Sequence, residues 1–360
     1  MIILFNKRLI RSLMIGSIVT VISCTKSAAP LPTQVATDTV QPEWQDMHLP
    51  ASSRVTCMMQ SPSGKIFVGV ANIYTGQADF DGTTSLYYST DTGATWQTAD
   101  TDHSANINGG AWAIAQDPSN GILLLGCNTY QLNGLFTSSD DGNAWRNNPK
   151  PFSPVAFAFL NNQAYMALNN GVSPNPPQYL LGSDNDFNSS WTDCTISDRN
   201  WPANPDILIT IGDTIWGAAV SVNGLFYTTS PSSGIWTRSD KGITYATSGT
   251  SYIICVFENN GWLYAGSTTD GIFLSHDKGT SWSKAASSFL MYVNGFAYNN
   301  HSVYAALEDS AVYMTKDNGK TWQPFHHGLP LPLSVKTLIS AGNYLLAGTT
   351  DGRIYRVKMN

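Results

Sequence analysis

Charge is scarce in this chain. Only 12% of its 360 residues are Asp, Glu, Lys or Arg, and no basic stripe runs through them, which excludes the electrostatic footprint of a nucleic-acid binder. Cysteine is scarce too, five in all. Their scattered positions match neither a metal-ligand spacing nor a disulfide framework, so Cys57, Cys127, Cys194 and Cys255 are expected as free thiols, mostly buried. No phosphate-binding loop, zincin motif or serine-nucleophile elbow is evident, and no cofactor or metal is expected. What abounds is Trp, Tyr, Gly, Asn, Ser and Thr. Aromatics fill pleated, half-buried surfaces while Gly, Asn and Ser make tight corners, a composition for short strands and many turns rather than helices.

The first segment, MIILFNKRLIRSLMIGSIVTVISC, carries Lys7, Arg8 and Arg11 ahead of an apolar run from Leu13 to Ile22. The run is short for a bilayer-spanning helix and ends in small residues, as an export signal does. Its end, Val21-Ile22-Ser23-Cys24, resembles a bacterial lipobox, which implies that Cys24 becomes the lipidated first residue of the mature protein. An ordinary signal peptide or a membrane anchor with an incidental cysteine is the alternative. The expected organisation is a signal peptide over 1–23, a Ser/Thr/Ala/Pro-rich tether over 24–40 and one folded domain over 41–360. Cleavage would remove three of the 19 Lys plus Arg and none of the 25 Asp plus Glu, leaving a formal charge of about −9.

Near-copies of one octapeptide recur: STDTGATW from Ser89, SSDDGNAW from Ser138, SHDKGTSW from Ser275 and TKDNGKTW from Thr315. Trp96, Trp145, Trp191, Trp236, Trp282 and Trp322 follow one another at roughly 40 to 50 residues, the period of four-stranded propeller blades. Upstream of each Trp the same succession returns: an apolar run ending in a polar turn, a strand ending in small residues (LLLGC, LYAGS, VYAALE, LLAGT), and a third strand running into the Asp-containing turn. First strands starting at Val55, Trp112, Val155, Ile207, Tyr252, Val293 and Val335 predict an all-β, seven-bladed propeller of four-stranded antiparallel blades. Two copies, GSDNDFNSSW and TTSPSSGIW, keep the Trp without the regular Asp-x-Gly, and RSDKGITY has the motif out of phase. The seventh blade has only three strands. Trp44-Gln45-Asp46-Met47-His48-Leu49-Pro50 reads like Trp322 to Pro330, so the start of the domain is expected to supply the missing outer strand.

Folding explains each letter of the repeated motif. In a turn between third and fourth strands the carboxylates of Asp91, Asp140, Asp277 and Asp317 can accept backbone N–H groups, the Gly can take positive φ, and the Trp can bury its face between blades. The motif resembles the Asp-box or BNR repeat shared by sialidases, sortilin-type receptors, photosystem assembly factors of the Ycf48 type and xyloglucanase-type glycosidases. That resemblance covers nearly all of the mature chain and implies a structural box on the face away from the ligand.

The opposite face carries the variable connections: Ala71 to Thr84, NTYQLN, NNGVSPNPPQ, Thr98 to Gly110 and Thr192 to Pro205. Long loops on a rigid scaffold are where binding is built. The candidate ligand-binding residues are therefore Tyr74, Asp79, Asp81, Asp100, Asp102, His103, Tyr130, Arg199 and Trp201, since aromatic rings with carboxylates and amides suit a sugar or a polar peptide. Asp79 and Asp81 alone fall short of a cation's oxygen shell. A sialidase-like site needs three arginines around a carboxylate; the mature chain has six arginines, and Ser52-Ser53-Arg54-Val55 stands in place of the family's Phe/Tyr-Arg-Ile-Pro.

The expected function is an exported, lipid-anchored module that binds a glycan or an envelope protein at a bacterial outer membrane, cell surface or periplasm, working as a monomer. A glycan-active enzyme of the sialidase or glycosidase type is the alternative. If Cys24 carries the anchor, Cys24→Ser moves the protein from the membrane to the soluble fraction; fractionation showing unchanged membrane retention refutes the lipobox.

Overall fold

The computed structural model describes residues 41–359 except 52, 72–84, 100–106, 108–109, 128–133, 149–152, 173–177, 184–190, 199–200, 204, 220–222, 245–251 and 287–291. Cys24 and the first 40 residues lie outside them. The compact unit runs from Gln41 to Asn360.

Seven four-stranded antiparallel sheets follow one another along the chain. Their innermost strands are Arg54–Gln60, Ala111–Gln116, Pro154–Leu160, Ile207–Ile211, Ile253–Asn259, Val293–Asn299 and Val335–Ala341. Each start lies within one residue of its expected position. Second strands such as Ile66–Ala71, Leu123–Cys127 and Ser302–Leu307 are buried at every residue, because neighbouring sheets cover both of their faces. Among the described residues the one helical element is a single 3-10 turn, Pro231–Ser233, which replaces the box turn in the degraded copy of blade 4.

The recurring glycine of the second strands has a packing cause. A Cβ on Gly266 would collide with Cys255 Sγ and lie 2.8 Å from Val293 Cγ1 of the next blade. One on Gly348 would lie 2.5 Å from Val55 Cγ1. The small residue lets the next inner strand approach the sheet, so the blades pack face to face around the axis.

In the box turns, Ser89 Oγ donates to Asp91 Oδ1 at 2.7 Å and accepts the Gly93 N–H at 2.8 Å. Asp91 Oδ1 also accepts the Thr95 N–H, and Oδ2 the Thr95 hydroxyl. The same four links hold Ser275, Asp277, Gly279 and Ser281, and again Thr315, Asp317, Gly319 and Thr321. Blade 2 keeps three of them and puts Ala144 where the hydroxyl would be. Thr92, Asp141, Lys278 and Asn318 already take φ of 55–58° and the following glycine is left-handed as well. Gly279 carries a second demand, since a Cβ there would strike the Trp216 ring.

The hydrogen bonds leave a mark on acidity. Burial works upward on the Asp91 carboxyl, but the donors from Thr95, Ser89 and Ala94 outweigh it and bring the pKa down to about 2. At Asp277 the Ser281 hydroxyl and N–H and the Ser275 hydroxyl do the same, again to about 2. Asp140 and Asp317 move in the same direction.

Each box also docks on the preceding blade. Lys65 Nζ donates to Asp141 O at 2.7 Å and Asn143 Oδ1 at 3.1 Å. The out-of-phase motif RSDKGITY has such a docking role. Ser239 Oγ donates to Gly279 O at 2.5 Å, Lys241 O accepts the Trp282 N–H, and Trp282 Nε1 reaches Ser239 Oγ at 3.3 Å. Trp236 and Trp322 find carbonyls for their indole N–H. Trp96 and Trp145 Nε1 are buried with no partner among the described residues.

The ring closes as the sequence suggested. Gln45–Asp46 pairs antiparallel with Ile354–Lys358, Gln45 opposite Arg356 and Asp46 opposite Tyr355. Trp44 is 3% exposed, its indole donates to Phe325 O at 3.0 Å, and its ring meets Phe325 edge-on. Arg356 then donates to Thr92 O of the blade 1 box at 2.9 Å while lying over the Tyr344 ring. One expectation changes: the connection after blade 3 is not a plain loop, because Ile196–Asp198 folds against Trp201–Ala203 as a short hairpin.

Two stability predictions follow from these contacts. Trp44→Ala costs about 3–5 kcal/mol by emptying the seam, and deletion of Gln41 to Pro50 costs more; a deletion variant that unfolds in denaturant like the parent refutes the closure. Ser275→Ala strands the buried Gly279 N–H and costs about 1–3 kcal/mol. Because the Asp91 and Asp277 carboxyls titrate near pH 2 in the folded chain and near 3.8 when free, their contribution is complete above pH 4 and disappears as pH falls to about 2. Acid titration monitored by tryptophan fluorescence measures that window.

Candidate functional site

Antiparallel topology fixes which residues share a face. The start of each inner strand and the end of each second strand lie at one end of the channel, together with the variable connections; the box turns lie at the other end.

Tyr74, Asp79, Asp81, Asp100, Asp102, His103, Tyr130 and Arg199 lie outside the described residues. Trp201 opens the second strand of the inserted hairpin, opposite Asp198. That hairpin is tied to the core through Cys194 and Ile196, both fully buried beside Leu208 and Phe226. Asp91, Asp140, Asp277 and Asp317 are in the turns at the far end.

The described part of the long-loop end contains a constellation that motif reading passed over. Six of the seven inner strands carry a β-bulge at one place, between Val55 and Cys57, Ala111 and Ala113, Pro154 and Ala156, Ile253 and Cys255, Val293 and Gly295, and Val335 and Thr337. The extra residues are Thr56, Trp112, Val155, Ile254, Asn294 and Lys336. All are half-buried while the residue before each is buried. A bulge leaves one residue unpaired and re-aims its side chain, so these six form a ring of non-ladder side chains at the channel mouth.

Polar groups gather on one side of that ring. Asn294 Nδ2 donates to Glu308 Oε2 and to Val335 O, both at 2.9 Å, so one amide holds a carboxylate and clips blade 6 to blade 7. Lys336 Nζ makes one long bond, 3.4 Å, to Asn294 Oδ1. Arg54 opens the inner strand of blade 1, and its Nε is buried without a hydrogen-bond partner. Neither cation forms an ion pair among the described residues. Burial lowers the Lys336 pKa and the Arg54 charge lowers it further, against the pull of Glu308. The Tyr292 hydroxyl is raised by burial and by Glu308, with Arg54 opposing. Charges on blades 1, 6 and 7 sense one another here, and Asp206 at the entry to blade 4 acts on Tyr292 as well. Only the axis of the ring brings so many blades within electrostatic range.

Burial disfavours the thiolate at the four described cysteines. Burial pushes Cys57, Cys194 and Cys255 up to about 12 and Cys127 upward as well, and Cys255 Sγ donates to Val293 O at 3.2 Å. A sequence signal for the mouth does exist: Arg54, Asn294 and Lys336 are polar letters at the start of otherwise apolar first strands.

No family model and no curated protein matches the chain. Solved structures do. The extracellular domain of the putative hybrid two component system BT4673 from B. thetaiotaomicron superposes with a TM-score of 0.68 at 15% identity, over 89% of this chain and 40% of that one. YCF48 bound to D1 peptide gives 0.62 at 16% identity, over 89% and 100%. The GH74 enzyme of Niastella koreensis gives 0.55 at 16% identity, over 85% and 43%. The chain thus spans about two fifths of the length of the first and third of these proteins. At such identities the likeness is one of fold.

Proposed function

We propose that the chain is an exported, lipid-anchored binding module of a bacterial envelope that takes a glycan on its long-loop face, over the channel mouth. The observation that carries this reading is the bulge ring. It sets an aromatic residue, Trp112, and the polar side chains of Asn294 and Lys336 on bulges at one end of the ring, with the half-exposed Tyr292 just before one of them, while the Thr56 hydroxyl of the same ring is committed to the Gly69 and Ala111 carbonyls. A sugar asks for that combination, an apolar face for its C–H groups and donors and acceptors for its hydroxyls. The second strands end on the same face, so the variable connections leave the ring there.

Export is supported by the apolar run ending in Cys24 and by the fold shared with extracellular domains. A lipid on Cys24 and the tether behind it would leave the face free to meet a ligand outside the membrane.

A glycan array probed with the purified chain, with hydrolysis followed in parallel, tests the reading. Tyr292→Ala is expected to weaken the bound glycan about tenfold or more with little change in melting temperature, while Ser275→Ala lowers the melting temperature and leaves affinity alone. Release of new reducing ends makes the protein an enzyme instead. Binding lost in Ser275→Ala and kept in Tyr292→Ala puts the site on the box face.

A further inference from the structure

We propose that the channel mouth forms a covalent link of its own: the Lys336 amine attacks the side-chain amide carbon of Asn294 and expels ammonia, joining blades 6 and 7 by an isopeptide bond. The link is independent of any ligand at the mouth.

Three pieces of chain converge on one amide. Asn294 is the bulge residue of blade 6, and its Nδ2 donates to Glu308 Oε2 and to Val335 O, both at 2.9 Å. Two acceptors on the nitrogen fix which end of the amide is the oxygen, and Lys336 Nζ meets that oxygen at 3.4 Å. The backbone of Glu308 is set as well, since its N–H bonds to Tyr292 O at 3.0 Å. Lys336 directly follows Val335, so the segment that anchors the amide also delivers the amine. The amide is thus held and the amine is not: the 3.4 Å contact is its one hydrogen bond among the described residues, and its four-carbon stem is flexible. A small swing takes Nζ from the carbonyl oxygen to the face of the carbon beside it.

Only a neutral amine can attack. Burial and the Arg54 charge push Lys336 toward that form, with the Glu308 carboxylate acting against them. The Cys255 thiol nearby, pushed up to about 12 by burial, stays uncharged. Attack of the Nζ lone pair on Asn294 Cγ makes the new C–N bond and moves the carbonyl pair onto Oδ1. Both nitrogens then sit on one carbon, and Glu308, already in contact with Nδ2, is placed to pass a proton between them. It takes a proton from the attacking nitrogen, gives it to Nδ2 and is a carboxylate again. Return of the Oδ1 pair breaks the Cγ–Nδ2 bond and releases NH3. An amine and a primary amide become a secondary amide and ammonia, and nothing else is consumed.

The product ties Val293–Asn299 to Val335–Ala341. Blade 7 is the blade completed by a strand of only two residues, and a cross-link to blade 6 keeps its inner strand in place when that strand is lost.

The test digests the purified, denatured chain with trypsin and reads the fragments by tandem mass spectrometry, as isolated and after incubation in mildly alkaline buffer. The expected product is a branched fragment joining 285–316 to 321–353, lighter than their sum by one ammonia, because trypsin does not cut after a lysine whose amine is acylated. Lys336→Arg, which keeps the charge and lacks the amine, removes the branch. Glu308→Gln keeps an oxygen for the Asn294 amide and lowers the yield of branched fragment about tenfold or more. Near-UV circular dichroism verifies that each variant is folded, and the parent with Lys336→Arg carries the test if Glu308→Gln is not.

Separate 285–316 and 321–336 fragments without a branch under either condition overturn the link. Gly295 follows Asn294, and its backbone nitrogen can attack the same carbon and expel the same ammonia. A loss of ammonia confined to 285–316 therefore means ring closure onto Gly295 and overturns the link too. A branch at full yield in folded Glu308→Gln keeps the link and overturns the part assigned to Glu308.

Discussion

A ring of seven sheets has one seam, and everything else depends on it. Six blades are continuous stretches of chain; the seventh is completed by two residues, Gln45 and Asp46, laid against Ile354–Lys358. So short a strand contributes few ladder bonds, and the strength of the closure lies in what flanks it. Trp44 buries its indole against Phe325 and gives its N–H to the Phe325 carbonyl, while its backbone N–H bonds to His327 O. Leu49 packs into the blade 1 core with Val55 and Tyr87. The tryptophan therefore does for blade 7 what the Trp after each box does elsewhere, with the chain broken between them. Tying both termini of the domain into one sheet leaves no blade with an open face toward its neighbour.

With the seam closed, the inner strands have little freedom. Glycine or alanine stands opposite the residue after each bulge: Gly69, Gly126, Ala167, Gly266, Ala306 and Gly348. The small residue and the bulge answer the same problem. Blades wedge toward the axis, side chains between them must shrink, and the surplus residue is turned out of the ladder. Blade 4 has no bulge, and there Leu208 faces Gly217 in an unbroken register. The channel mouth thus follows from packing, and polar side chains, Thr56, Asn294 and Lys336, stand at three of its bulges.

The architecture was legible in the sequence because its information is local and repeated. Seven copies of one strand succession fix the blade count even where the box is degraded, and the likeness of Trp44 to Pro50 with Trp322 to Pro330 gave the closure. The hairpin Ile196–Asp198 with Trp201–Ala203 was not read, because it occurs once and follows a degraded box. The channel mouth was not read for a different reason. Arg54, Asn294, Glu308 and Lys336 belong to three different blades, and what brings them together is register and curvature, neither of which is written in any one segment. The reading of the loop residues from Tyr74 to Arg199 followed length and composition, which say where binding is built and not which side chain meets the ligand.

The two ends of the channel have opposite electrostatic logic, and this separates stability from recognition. At the box end the carboxylates are engaged by the turn itself. Asp91, Asp277 and Asp317 each accept a hydroxyl on one oxygen and further donors on the other, and their acidity is raised accordingly. At the loop end the balance is reversed: Lys336 is held near another cation and Arg54 keeps a buried donor unused. Groups that are satisfied stabilise the fold at once, whereas groups left unsatisfied cost stability until something arrives to pair them. The repeated motif, conspicuous in the sequence, accordingly holds the scaffold, and three unrepeated polar residues, Arg54, Asn294 and Lys336, stand at the starts of inner strands at the other end.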